Sequence, residues 1–199
     1  MSMDSVEIQE IAVSVLAISF AFSVGGRGLS AINDPVFWLM FFITFVTVGL
    51  GFILHELAHR QVAKSYGAYA IYKAWLPGLI LMIVLALSPS PILFAAPGAV
   101  YIYSNYITRK ENGIISLAGP VTNLALAIVF WLMMLVIPGE GGVLNLARTA
   151  FGIGFKINLF LGLFNMIPIF PLDGSKVWDW DKRLWVAFMV VAGGLYLFF

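Results

Sequence analysis

Residues 35–66 read PVFWLMFFITFVTVGLGFILHELAHRQVAKSY, an apolar run that meets no charged side chain until it reaches HELAH at 55–59. A spanning helix needs about 20 mainly apolar residues to cross a hydrocarbon core about 30 Å thick. Asn33-Asp34-Pro35 opens the run with capping residues and a proline at the first helical position, and no further proline occurs until Pro77. The stretch therefore predicts a single membrane-spanning helix with its polar cluster near one end. At 1.5 Å per residue, His55 lies about 30 Å along the helix from Pro35, near the edge of the bilayer.

The rest of the chain carries the same signature. Of its residues, 61% are apolar and 11% charged, whereas a soluble domain is nearer half and a quarter, so a polar surface cannot be assembled. Five stretches are long enough to span, at 8–24, 35–66, 113–137, 149–170 and 184–199, the first and last close to the lower limit. A sixth region, 74–104, is apolar but carries Pro77, Pro89, Pro91 and Pro97, a density unsuited to one straight helix. Its second half, ILFAAPGAVYIY, is rich in small, aromatic and β-branched residues and predicts short strands. Non-helical backbone survives at membrane depth only under cover of protein or beside a water-filled cavity. Region 74–104 is therefore expected to be a re-entrant or partly helical insertion that returns to the side it came from. The expected fold is an all-α polytopic membrane protein, a single domain over 1–199. It has about six transmembrane segments, counting a small β-rich re-entrant region after the HELAH helix.

Charge sets the expected orientation. With the N-terminus cytoplasmic and 74–104 re-entrant, Arg60, Lys64, Lys73, Arg109, Lys110, Lys176, Lys182 and Arg183 fall inside, while only Arg27 and Arg148 fall outside. That distribution obeys the positive-inside rule. It predicts a multi-pass protein of the cell membrane with its site toward the cytoplasmic side. The flank before the first span holds Asp4, Glu7 and Glu10 but no Lys or Arg, unlike a signal peptide, so the first span is expected to be retained. A net charge of +1 with no basic tract gives nucleic acid no footing. With no cysteine in the chain, any metal must be held by His, Asp or Glu.

HELAH fits H-E-x-x-H. Residues four apart share a helix face, so His55 and His59 can point at one metal ion, with Glu56 beside them as a general base toward water. A structural histidine is the ordinary alternative. Ionisable groups within a span are costly, however, and mark function by default. A catalytic zinc keeps three protein ligands and one open position. Outside HELAH the best-placed acid is Asp173, in NMIPIFPLDG at 165–174, where Pro168 and Pro171 end regular helix and Gly174 permits a turn. A turn aspartate at the interface is the plainer account of it. Asp179 and Asp181, among Lys and Trp, read as interfacial. In the topology above, His55 and Asp173 lie at the same depth.

HExxH in one span, followed by N-x-x-P-x-x-P-x-D-G at the end of a later one, resembles the site-2 protease family (peptidase family M50) of intramembrane zinc proteases, in a prokaryotic form. Asn165, Pro168, Pro171, Asp173 and Gly174 match every position of the second motif. Ser116-Leu117-Ala118-Gly119-Pro120-Val121-Thr122-Asn123 looks like the family's G-P-x-x-N segment, and the likeness runs in the family's order over roughly 35–176. The resemblance implies one Zn2+ per chain held by His55, His59 and Asp173, with Glu56 catalytic. It also implies a membrane-embedded β-rich loop at 89–104 and hydrolysis of peptide bonds within or near the transmembrane helices of protein substrates, as in regulated intramembrane proteolysis. The partners would be a transmembrane protein substrate and the lipid bilayer. The given sequence is expected to hold neither the PDZ insertion nor the CBS pair of some relatives, and its apolar ending, Leu197-Phe198-Phe199, reads as that of a truncated membrane core. Asn165 and Asn123 are candidates to hold the substrate carbonyl or its oxyanion, against the commoner bond across a helix interface. Arg148, Lys156 and Asn158 read as snorkelling or packing groups. A competing function is non-proteolytic zinc binding by a transporter or sensor, which would need further ligands along a path, and the chain has no third histidine. Nothing in the sequence sets the oligomeric state.

Overall fold

Asp4 starts the first helix by accepting the Glu7 N–H at 2.7 Å, and α1 runs over Ser5–Val24 until Gly25 adopts a left-handed φ of 57°. A 3-10 turn at Gly28–Asn33 leads to α2 (Phe37–Thr44), a π-helical turn at Phe45–Gly49 and α3 (Leu50–Ser65). β1 (Tyr69–Ala74), α4 (Leu76–Leu87) and β2 (Gly98–Tyr103) follow, then α5 (Arg109–Val136), α6 (Gly142–Asn165), α7 (Asp173–Trp180) and α8 (Lys182–Phe198). The computed structural model describes residues 3–25, 27–88, 97–104, 106–138 and 141–199. Its internal contacts divide the chain into two units, 1–53 with 71–101, and 54–70 with 102–199.

Among the described residues four helices are long and apolar enough to cross a membrane: Ser5–Val24, Phe37–Ser65, Arg109–Val136 and Gly142–Asn165. The second joins α2, the π turn and α3 into the span expected at 35–66. The π turn itself was not anticipated. Thr47 Oγ1 donates to the Ile43 carbonyl at 2.8 Å and Thr44 Oγ1 donates to the Ser19 carbonyl of α1 at 2.8 Å. Such back-bonding hydroxyls compete with the helix ladder and widen it locally. The segment expected at 184–199 forms α8, whose 17 residues fall short of the usual span. The one expected at 149–170 begins earlier, at Gly142, and stops at Asn165 because Pro168 and Pro171 cannot continue it.

Region 74–104 is part helix and part strand. Pro77 sits in the first turn of α4, where its missing N–H deprives no carbonyl, so it starts a helix instead of breaking one. β2 lies within the half expected to form strands, while 89–96 lies outside the described residues. β2's partner β1 went unanticipated. Its sequence YAIYKA alternates exposed Tyr69 with buried Ala70 and buried Tyr72 with exposed Lys73, a period of two that follows directly on a helical run.

In the first unit, acids of α1 satisfy the backbone of β1. Glu7, buried, accepts the Tyr72 N–H at 3.0 Å, Glu10 accepts the Ala74 N–H at 2.8 Å, and Tyr72 Oη bonds Ser14 Oγ at 2.8 Å. These carboxylates stand where a neighbouring strand's carbonyls would, and they close that edge of β1 to further pairing. In the loop before α2, the Val36 N–H is the main influence holding the Asp34 carboxyl below the usual carboxylate range; burial opposes it and Arg27, 2.8 Å away, adds to it.

In the second unit α5 packs on α6 and α7, and α8 packs on α6 and α7, around a core of Ala127, Phe130, Phe155, Leu159, Met166, Val177, Phe188 and Ala192. Thr108 and Glu111 form a reciprocal capping box at the start of α5. Close approach is needed at Gly154, where a Cβ would lie 2.8 Å from the Phe130 ring. Lys156 does not snorkel freely. Its Nζ donates to the Tyr196 carbonyl at 3.0 Å and lies 5.3 Å from that residue's ring centroid, which ties α6 to the end of α8. Large apolar side chains such as Val136, Val143, Val190 and Leu197 remain exposed, as a lipid-facing surface requires.

Candidate metal centre

The centre lies wholly within the second unit. α3 presents His55 and His59 one turn apart, their ring centroids 4.6 Å apart. The chain from 166 to 172 turns sharply after α6 and delivers Asp173 as the first residue of α7. His59 Nε2 lies 3.0 Å from His55 Nε2 and 3.0 Å from Asp173 Oδ2, and His55 Nε2 lies 3.3 Å from the same oxygen. The three ligand atoms form the one group of His, Asp or Glu among the described residues with the closeness a metal ion needs. The two histidines are buried and the Asp173 side chain is 13% exposed.

Each imidazole is oriented from behind. His59 Nδ1 is 2.7 Å from the Ile115 carbonyl and His55 Nδ1 is 2.6 Å from Asn123 Oδ1. A backbone carbonyl only accepts, so His59 carries its proton on Nδ1, and the Asn123 oxygen sets the same tautomer in His55. Both Nε2 atoms then present lone pairs. With both rings neutral, two imidazole lone pairs and a carboxylate oxygen face one another with no donor among them. One shared proton would lie on a single edge of this triangle and leave acceptor against acceptor elsewhere. A cation relieves all three contacts together. Edges of 3.0–3.3 Å are also close to the roughly 3.3 Å expected between ligand atoms of a tetrahedral site with bonds near 2.0–2.1 Å. The residues fit a zinc ion, and nitrogen with carboxylate oxygen suits zinc better than calcium or magnesium.

The GPxxN segment, read in the sequence as an intervening likeness, forms one wall of the centre. Ile115, Gly119 and Asn123 stand four apart on a single face of α5. Pro120, inside this helix, removes one ladder N–H and pushes back the carbonyl four residues before it. That carbonyl belongs to Ser116, and its neighbour Ile115 offers its own carbonyl to the His59 Nδ1–H at 2.7 Å. Gly119 provides space, since a Cβ there would lie 2.5 Å from both His55 Nε2 and His59 Nε2. Gly119→Ala is accordingly expected to weaken zinc binding by about 10–100-fold, as misplaced ligands do, while the fold persists. Competition against a chromophoric chelator reads the change.

The other motif residues divide between site and scaffold. Glu56 is buried on α3 directly after His55. Gly174 is obligatory, because a Cβ would run into the Met166 carbonyl and its carbon. That same carbonyl accepts Trp185 Nε1 at 2.7 Å, so the turn that carries Asp173 is pinned by α8. Lys176 Nζ stands 3.7 Å from Asp173 Oδ1, the oxygen not facing the imidazoles. Asn165 Nδ2 donates to the Leu161 carbonyl of its own helix at 3.0 Å, while Asn123 Oδ1 accepts from His55 Nδ1 and its Nδ2 donates to Asn158 Oδ1. Asp181 caps α8 and Asp179 lies in α7, both outside the cluster. Asn158, read in the sequence as a packing group, is fully buried and hydrogen-bonded to Asn123 at 3.1 Å.

Membrane-length helices and an HExxH pair joined by a remote aspartate define a zinc-binding protein of the metalloprotease class. A 196-residue alignment, covering 97% of this chain and 95% of the relative, is 46% identical to "Putative zinc metalloprotease MJ0611" of Methanocaldococcus jannaschii. The same organism's "Zinc metalloprotease MJ0392" is 30% identical over 75% of this chain, which spans only 36% of that longer protein. "Putative zinc metalloprotease YwhC" of Bacillus subtilis is 30% identical over 66% of this chain and 65% of its own length. No family model matches the chain, and no solved structure matches it. The chain belongs to the site-2 protease family of zinc metalloproteases. It is a membrane protein, and zinc is its cofactor.

Proposed function

We propose that the chain is an intramembrane protease, hydrolysing peptide bonds within or near the transmembrane helices of membrane-protein substrates. The observation that carries this reading is the close triangle of His55 Nε2, His59 Nε2 and Asp173 Oδ2, with edges of 3.0–3.3 Å, on elements joined to membrane-length helices. These three side chains would hold the zinc. Bound there, zinc supplies Lewis-acid polarisation of the scissile carbonyl and acidifies the attacking water. Glu56 takes the proton from that water and returns it to the leaving amine. Ile115 and Asn123 keep the imidazole lone pairs turned inward, and Gly119 keeps the space before them open.

The proposed setting is the cell membrane, with the N-terminus and the site toward the cytoplasmic side, as the distribution of Lys and Arg favours. α8 and the 74–104 region would complete about six membrane segments, the latter re-entrant. A substrate helix must unwind before its carbonyl can react, and pairing with a strand in the β-rich region would hold it extended. The carboxylates of Glu7 and Glu10 against β1 favour β2 as the strand that receives it.

The test is cleavage of a purified model transmembrane substrate by the full chain in detergent or liposomes, with products mapped by mass spectrometry. A cut within or beside the transmembrane segment, lost on chelation and regained with zinc, is expected. Chelator-insensitive cleavage, or zinc binding without cleavage of any helical substrate, would overturn the proposal.

A further inference from the structure

We infer that Asn158 is a positioning residue for the metal centre, acting through Asn123 to fix which nitrogen of His55 carries the proton. The inference rests on the zinc site proposed above. The row of bonds begins at a backbone carbonyl. Gly154 O can only accept, so the atom 2.9 Å from it is the Asn158 Nδ2. That leaves Asn158 Oδ1 facing Asn123 Nδ2 at 3.1 Å, which turns Asn123 Oδ1 toward His55 Nδ1 at 2.6 Å. An amide oxygen has no proton to give. His55 is therefore protonated on Nδ1 and offers its Nε2 lone pair to the centre. A single amide can be flipped without visible consequence, but in this row every flip is decided by the Gly154 carbonyl at its far end.

Burial gives the row its force. Asn123 and Asn158 are fully buried and His55 is nearly so, and at such depth a reversed amide would set acceptor against acceptor with no solvent to relieve it. Outer groups of this kind fix ring orientation and ligand basicity, and their loss ordinarily lowers metal affinity by about 10–100-fold. Asn158 stands one bond further back than most, so the lower end of that range applies.

The test uses the full chain in detergent, stripped of metal and titrated with zinc against a chromophoric chelator. Asn158→Leu is close in volume and removes the row; zinc affinity is expected to fall about tenfold. Asn158→Asp keeps an acceptor for Asn123 Nδ2 and is expected to stay nearer the wild type. If the asparagine pair only glues α5 to α6, the order reverses, because an apolar residue is then milder than a buried carboxylate. Equal zinc affinity in wild type and Asn158→Leu overturns the positioning role alone, whereas a wild type that binds no zinc overturns the centre itself. Should neither variant fold, 15N spectra of the metal-free wild type decide, since the chain has only two histidines. A proton on Nδ1 of His55 is expected, and a proton on Nε2 would refute the inference.

Discussion

Glu56→Gln is expected to cut the rate of peptide-bond cleavage by about 10²–10⁴-fold, the usual contribution of a general base, while the protein keeps its zinc. The amide nearly matches the carboxylate in shape, so α3 and the orientation of His55 and His59 are preserved. What is lost is the ability to accept a proton at neutral pH. The residue after His55 sits about 100° further round the helix, so it flanks the site without entering the triangle of ligand atoms. Zinc content, measured on the same preparation as cleavage, separates the two roles. A Glu56→Gln protein that cleaves at the wild-type rate would remove Glu56 from the chemistry, and one that has lost its zinc would make it a ligand.

Asp173→Asn is expected to reduce zinc affinity by more than about 100-fold, beyond what removal of an outer-shell partner costs. A neutral amide oxygen is a poor ligand for zinc, and no other acid joins the cluster among the described residues. The change also leaves two imidazole lone pairs opposed at 3.0 Å with no charge to hold a cation between them. Folding should survive, because the turn depends on Gly174 and on the bond between Trp185 and the Met166 carbonyl. The readout is thermal. Zinc that binds only the folded chain raises Tm in proportion to ln(1 + [Zn]/Kd), so saturating zinc should stabilise the wild type markedly and Asp173→Asn hardly at all. An equal rise in both would dismiss Asp173 as a ligand.

The parts of the molecule visible in the sequence are those whose physics is local. HELAH announces itself because two imidazoles and a carboxylate in an apolar run are too costly to be incidental, and their spacing alone puts both rings on one helix face. Asp173 is legible for a similar reason: Pro168, Pro171 and Gly174 say where the helix must stop, and the acid sits where the chain is free to turn. β1 hides because its six residues fall between the apolar run 35–66 and the region 74–104, and its alternation becomes meaningful only against α1 and β2. Gly119 is one of 19 glycines in the chain, and its purpose appears only once two imidazole nitrogens lie 2.5 Å from where its Cβ would be. Asn158 looks like a packing group in the sequence because its partner, Asn123, is 35 residues away on another helix, a distance no periodicity can bridge. The π turn at Phe45–Gly49 is equally hidden, because the Thr44 hydroxyl beside it bonds the Ser19 carbonyl of α1, 25 residues away.

Zinc K-edge X-ray absorption on the purified full chain examines the central claim most directly. One zinc per chain is predicted, with two imidazole nitrogens at about 2.0–2.1 Å, a carboxylate oxygen at about 2.0–2.2 Å and one further light-atom ligand. The imidazole scattering should fall when His55 or His59 is replaced by alanine. A metal-free protein after zinc loading, or a zinc whose shell is all oxygen and indifferent to those replacements, would contradict a metal centre built from α3 and the start of α7.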